Sequence, residues 1–211
     1  MLVIAILLTA VVSYLLGSCN SAIIVGKLIQ KKDIRDYGSH NAGLTNTLRC
    51  FGKGCAALTL IGDLGKGIVA VLLSKGIFHL LQVGFTDAQD LQLVGYIAGI
   101  FAILGHVFPL YYGFKGGKGV ATSLGVIMII NWQIGLICLV FALILMILTR
   151  IVSLGSVAAA ILFPVLTLFI TENYSVPGDY RIFGILLGVF VCFNHRANIK
   201  RLLKGEEKRI F

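Results

Sequence analysis

Long apolar runs at about 2–28, 56–82, 91–112, 118–132, 133–149, 151–171 and 180–194 leave this chain little choice of architecture. A helix of roughly 20 residues crosses about 30 Å of hydrocarbon. Inside lipid the backbone must satisfy its own hydrogen bonds, so a run of this kind spans as a helix. The expected fold is all-α: a polytopic membrane helical bundle with about seven transmembrane helices, with five plus re-entrant pieces as the alternative. The 118–132 and 180–194 runs are short, so each is expected to be slanted, partial or continued into its polar flank. No linker or internal repeat divides the sequence, which reads as one integral membrane domain over 1–211.

Composition agrees. The chain is 58% hydrophobic and 13% charged, with mean hydropathy +0.96, whereas a soluble domain carries about 25% charged residues. The net charge of +9 does not mark a nucleic-acid binder, because the cations lie between apolar runs and form no basic domain. Five cysteines, at 19, 50, 55, 138 and 192, show no zinc or CxxC spacing and read as free thiols. The first run has no basic segment before it and no convincing cleavage site, so it is expected to stay as a helix.

Charge bias predicts orientation. Lys27, Lys31, Lys32, Arg35, Arg49 and Lys53 follow the first run; Lys115 and Lys118 follow the third; Arg150 separates the fifth and sixth. The tail carries Arg196, Lys200, Arg201, Lys204, Lys208 and Arg209. The alternate connections, 83–90, 131–133 and 172–181, are poor in cations. Seven crossings then place the N-terminus outside and the C-terminus in the cytoplasm.

Three polar stretches interrupt the apolar sequence, all on the predicted cytoplasmic side. The first, Gly38–Arg49, gathers Ser39, Asn41, Thr45, Asn46 and Arg49 around Gly38 and Gly43. Glycines admit positive φ, successive N–H groups make anion nests, and Arg offers a fork of donors for phosphate. A plain capped turn is the alternative. The second stretch runs through Phe114-Lys115-Gly116-Gly117-Lys118-Gly119-Val120-Ala121-Thr122 into an apolar helix. Glycine backbone, a helix N-terminus and two lysines form a phosphate cradle. It is not a Walker A loop, because Gly119 stands where Ser or Thr is needed. A juxtamembrane clamp of cations is the alternative. In the third, His195 and Asn198 share a helical face, with Lys200 and Arg201 beyond. These stretches read as walls of one anion-binding site.

Some residues carry two readings. His106, before Phe108-Pro109, is either a structural hydrogen-bonder or a substrate ligand. Asp63 and Lys66 lie i,i+3 inside an apolar run, where charge is costly and usually paired and functional; they either touch substrate or form an internal ion pair that positions the site. Asp33 and Asp36 beside Arg35 look like a solvated loop. Glu172, Asp179, Arg181 and Lys75 look like outer-face charges. There is no HxxxxD pattern and no G-x-S-x-G elbow, so the chemistry is expected to need neither a covalent intermediate nor a strong protein base, and no cofactor or metal.

These residues resemble the bacterial acyl-phosphate:glycerol-3-phosphate acyltransferases over nearly the whole chain. The likeness rests on Tyr14-Leu-Leu-Gly-Ser18, on Gly38-Ser39-x-Asn41-x-Gly43-x-Thr45-Asn46-x-x-Arg49 and on Asp63-x-x-Lys66-Gly67. It continues through Gly105-His106-x-x-Pro109, the Phe114–Thr122 stretch, and His195-Arg-x-Asn198-Ile-x-Arg201-Leu. The resemblance implies a multi-pass enzyme of the bacterial inner membrane with its site facing the cytoplasm. Such an enzyme moves a fatty acyl group from acyl phosphate to the 1-hydroxyl of glycerol 3-phosphate, giving lysophosphatidic acid and phosphate. It implies catalytic roles for Ser39, Asn41, Arg49, Lys118, His195 and Asn198. It implies substrate binding by Thr45 and Asn46, and the residues themselves add Lys66, His106, Lys115, Gly116, Gly117 and Gly119 as substrate-binding candidates. Two positions depart from the family's pattern: His40 stands in place of a usual Gly, and Leu44 in place of a small residue. The rival reading is a small anion transporter, since helix termini facing anions also serve transport; three polar stretches on one face, with no polar trail across, argue against it.

Overall fold

The computed structural model describes residues 1–81, 88–169 and 178–210, with 88–91 and 178–179 as backbone only. The 83–90 connection and most of 172–181, with Glu172 and Asp179, lie outside the described residues or their side chains. Every regular element described is helical: α1 (Leu2–Ser18), α2 (Ser21–Val25), α3 (Leu44–Leu80), α4 (Ala88–Val107), α5 (Val120–Ile130), α6 (Trp132–Thr149), α7 (Val152–Phe169), α8 (Gly178–Asn194) and α9 (Arg196–Leu203). The chain divides into two compact units, Met1–Ile130 and Asn131–Phe211.

Among the described residues, five segments are long and apolar enough to cross a membrane: Leu2–Gln30, Leu44–Leu80, Gln92–Tyr112, Trp132–Thr149 and Val152–Phe169. Tyr180–Asn194 and Arg196–Leu203 qualify as a pair, bent by 67°. The eleven residues of α5 rise only about 16 Å at 1.5 Å per residue. That helix is apolar but too short to cross unaided, so among the described residues five segments, or six with the bent pair, reach crossing length against the seven expected.

In the first unit, packing depends on missing side chains. A Cβ on Gly17 would run into the Ala102 carbonyl, and one on Gly105 into the Tyr14 carbonyl, so α1 and α4 meet backbone to backbone. Gly67 against Thr122, and Gly125 against Leu64, do the same for α3 and α5. In lipid there is little hydrophobic gain in bringing helices together, and close van der Waals contact through small residues takes its place. Polar glue adds to it: Ser13 and Ser74 hydroxyls lie 3.2 Å apart, both fully buried. The outer surface keeps large apolar side chains exposed, among them Leu7, Val11, Ile61 and Leu72, the face a bilayer solvates. Gly52 breaks α3 with φ 81°, so the helix over 44–51 leaves on a separate axis from the rest.

In the second unit, Gly155 admits the Ala142 carbonyl of α6, and Gly188 of α8 admits the Ala160 carbonyl of α7. Phe163, Tyr180 and Phe183 form an aromatic knot between α7 and α8, with ring centroids 6.1–6.3 Å apart.

Candidate active site

The first polar stretch is shaped by Asn46. Its Oδ1 accepts the Ser39 N–H at 2.9 Å, and its Nδ2 donates to the carbonyls of Ile34 and Tyr37 at 3.2 and 2.9 Å. The Cys50 thiol adds a weak donor at 3.6 Å. A neutral amide has two donors and two lone pairs, and these contacts use all of them. Asn46 therefore curls the loop, and the expectation that it binds substrate gives way to positioning. Gly38, at φ 62°, sits against that amide where no side chain fits. His40 also lies left-handed, at φ 57°, in the backbone region a glycine enters freely. Its Nδ1 bonds the Arg35 carbonyl at 2.9 Å. The departure from the family's Gly therefore keeps the turn and adds a side-chain tether. Ser39 and Arg49 are exposed, and Asn41 and Thr45 half-buried. A small core of Ala22, Ile23, Ile34 and Ala42, flanked by Phe51 and Tyr112, supports the loop.

The second stretch is stitched to the end of α4. The Gly116 and Gly117 amides donate to the Val107 and His106 carbonyls, each at 3.1 Å. Gly117 allows this because a Cβ there would meet both the His106 ring and the Ala42 carbonyl. The Ala42 amide reaches the Gly116 carbonyl at 3.4 Å, and Asn20 Nδ2 donates to the Ala42 carbonyl at 3.2 Å. This contact places the start of α3, two residues beyond Ala42, beside the loop that opens α5. No side chain caps the α3 N-terminus. Around α5, Gly119 takes φ 88°, and the hydroxyls of Thr122 and Ser123 are buried with no protein hydrogen-bond partner. Lys115 is exposed and Lys118 half-buried.

Beneath these loops lies a buried polar cluster. Lys66 Nζ donates to Asp63 Oδ1 at 3.0 Å, to His106 Nδ1 at 2.9 Å and to the Cys19 carbonyl at 3.2 Å. Asp63 Oδ1 also accepts the Ser21 amide at 3.3 Å. The ammonium has three N–H groups, and all three are taken. Of the two readings open for Asp63 and Lys66, the internal ion pair matches this geometry, and Lys66 keeps no donor for a substrate. His106 closes the cluster as its third member. Its other nitrogen faces Gly117, so the ring couples the cluster to the glycine loop.

Asp33 and Asp36 were expected in a solvated loop; Asp36 is exposed, but Asp33 is half-buried, and so is Arg35. Its Nε and Nη2 bond Asp33 at 3.0 and 2.8 Å, and its Nη1 donates to the carbonyls of Tyr112 and Lys115 at 2.6 and 3.3 Å. The bond from Arg35 holds the Asp33 carboxyl below the usual carboxylate range, and its return raises the guanidinium pKa further.

The third stretch lies wholly in the second unit. His195 Nδ1 donates to the Val191 carbonyl at 2.8 Å, so the neutral ring carries its lone pair on Nε2. Asn198 Nδ2 donates to Glu207 Oε1 at 2.7 Å, Ser153 to the same oxygen at 2.8 Å, and Arg201 Nε to Oε2 at 2.6 Å. Burial opposes ionisation of Glu207, but the bonds from Arg201, Asn198 and Ser153 outweigh it and hold its pKa low. Asn20, Asp33, Arg35 and Glu207 were not among the sequence candidates. An acidic residue amid basic neighbours in the tail was the one available signal for Glu207.

Apolar helices of membrane-crossing length, packed through glycine seams, define a multi-pass membrane protein. The glycerol-3-phosphate acyltransferase family model matches residues 7–205, and the chain belongs to that family. A glycerol-3-phosphate acyltransferase of Clostridioides difficile is 42% identical over 204 residues, covering 97% of this chain and 95% of the relative. One from Thioalkalivibrio sulfidiphilus is 44% identical, covering 94% and 90%. Among solved structures, PlsY, an integral membrane glycerol 3-phosphate acyltransferase in its glycerol 3-phosphate form, superposes with TM-score 0.81 at 34% identity. That match covers 97% of this chain and 94% of the other. The lysophosphatidic acid form gives 0.79 at 33%.

Proposed function

We propose that this protein is a membrane glycerol-3-phosphate acyltransferase of phospholipid synthesis. The acyl donor is acyl phosphate, and the products are lysophosphatidic acid and inorganic phosphate. The observation that supports the reading is the contact between Ala42 and Gly116, which sets the first polar stretch beside the glycine-rich loop. Two substrates that each bear phosphate repel one another, and a site must offset that repulsion. Each helix start offers about half a positive charge, and Arg49, Lys115 and Lys118 add whole charges. Arg49 with the first loop holds one phosphate; Lys118 with the Gly116–Gly119 backbone holds the other.

The chemistry then asks little of the protein. The 1-hydroxyl oxygen attacks the acyl carbonyl carbon, the tetrahedral oxyanion collapses, and the acyl–phosphate C–O bond breaks. Holding the reactants in line supplies about 7–11 kcal/mol of the barrier. Ser39 and Asn41 are assigned as donors to the oxyanion. The hydroxyl proton passes to the departing phosphate. The acyl chain enters sideways from the bilayer. We further assign the N-terminus to the outside and the loops to the cytoplasmic face of the inner membrane, from the distribution of Lys and Arg.

The test is detergent-purified protein given acyl phosphate and glycerol 3-phosphate. Lysophosphatidate and phosphate are expected in equal amounts without any vesicle. No product from a folded preparation overturns the assignment.

A further inference from the structure

We propose that Asp33 and Arg35 form a positioning clamp that fixes the glycine-rich loop, and through it Lys118, against the first polar stretch. The inference rests on the acyltransferase reading for its kinetic arm only. The guanidinium bridges three parts of the fold at once. Two of its nitrogens hold the Asp33 carboxylate in a fork. The third donates to the carbonyls of Tyr112 and Lys115, 77 and 80 residues away in sequence. Asp33 is itself fixed, since its Oδ1 accepts the Arg35 amide at 3.0 Å and caps the turn Ile34–Asp36. The Tyr112 ring lies under the guanidinium at 6.0 Å and under Lys27 Nζ at 5.7 Å. Lys27 adds a weaker contact to Asp33 at 3.8 Å.

The carbonyls gripped are on the near side of Lys118. The Lys115 carbonyl is the last backbone acceptor before Gly116-Gly117, the segment least able to hold its own shape because glycine costs most to order. The Arg35 carbonyl in turn anchors His40, so one residue ties the first stretch by its backbone and the second by its side chain. A lysine cannot replace it: an ammonium is a point charge without the planar fork that meets carboxylate and carbonyls together. An ion pair alone would not need these two residues in this order; a clamp does.

The experiment compares wild type, Arg35→Gln, Arg35→Lys, Asp33→Asn and the exchange variant Asp33→Arg/Arg35→Asp, all purified in detergent. The first readout is the rate at which trypsin releases the fragment beginning at Gly116. It needs no catalysis, so it stands even if the acyltransferase reading fails. The second is the KM for each substrate against kcat. Charge-assisted bonds of this kind carry enough energy for about a tenfold effect. Arg35→Gln is expected to raise cutting after Lys115 about tenfold and to raise one substrate's KM by a like factor, with a smaller change in kcat. Arg35→Lys is expected to recover little of either, Asp33→Asn to lie between, and the exchange variant to recover nothing. Cutting rates and KM within twofold of wild type in Arg35→Gln would overturn the clamp. So would a loss confined to kcat, or recovery in the exchange variant. If Arg35→Gln does not fold, Asp33→Asn decides on the same two readouts.

Discussion

Lys66 and His106, 40 residues apart in sequence, meet with Nζ 2.9 Å from Nδ1 in a pocket closed to solvent. The contact makes the floor of the candidate site a unit whose members lean on one another. An ammonium so placed is tolerable only while Asp63 accepts from it.

Removing one member leaves the other's charge stranded. Asp63→Asn or Lys66→Met is expected to lower stability by about 3–5 kcal/mol. The double variant should recover a large part of that loss. Thermal unfolding in detergent checks both; additive losses in the double variant would show that the two residues are not coupled.

Gly117→Ala forces a methyl group into the His106 ring and the Ala42 carbonyl. Relief requires moving the loop, at about 1–3 kcal/mol, and acyl transfer should fall at least about tenfold. Gly76→Ala is the control. It lies in α3 with no atom within 4 Å of the added carbon, and is expected to be neutral or stabilising by up to about 1 kcal/mol.

Lys118→Ala is expected to reduce transfer by about 100-fold or more, in the range of losing a transition-state donor, with the melting temperature little changed. Near-normal turnover in the folded variant would remove Lys118 from the mechanism.

The tail answers to acid. Glu207 has a lowered folded pKa, so its stabilisation is complete above the unfolded carboxylate value and fades as pH falls through the folded one. Release of the tail from α9 and α7 is therefore expected only below the usual carboxylate range. Fluorescence of a dye at the C-terminus, read against pH, follows it. Glu207→Gln should flatten that acid transition; an unchanged transition would place its origin elsewhere.

What the sequence disclosed, and what it hid, follows from the range of each interaction. The helices were legible because hydrocarbon imposes one backbone solution on every apolar run. The Asp63–Lys66 pair was legible because i,i+3 spacing is local. Its third partner was not, since nothing in the neighbourhood of Lys66 names His106. The loop at Asp33 and Asp36 looked solvated because two of the acceptors that hold Arg35 are carbonyls, a group every residue owns. Asn46 looked like a ligand because its side chain is the right chemical type; only the fold shows its amide turned inward to Ser39, Ile34 and Tyr37. Glu207 was masked by the cations around it.

Gly105 touches the backbone of α1 and is followed directly by His106. The seam that glues the bundle and the floor beneath the loops are thus consecutive residues on one rod. Substitutions on the greasy exterior of α1 or α6 can accumulate freely, provided they stay lipid-soluble. A single methyl group at position 105, set against the Tyr14 carbonyl of α1, would tilt α4 and carry His106 out of register. Mutational tolerance in this protein should therefore follow distance from the glycine seams more closely than distance from the chemistry.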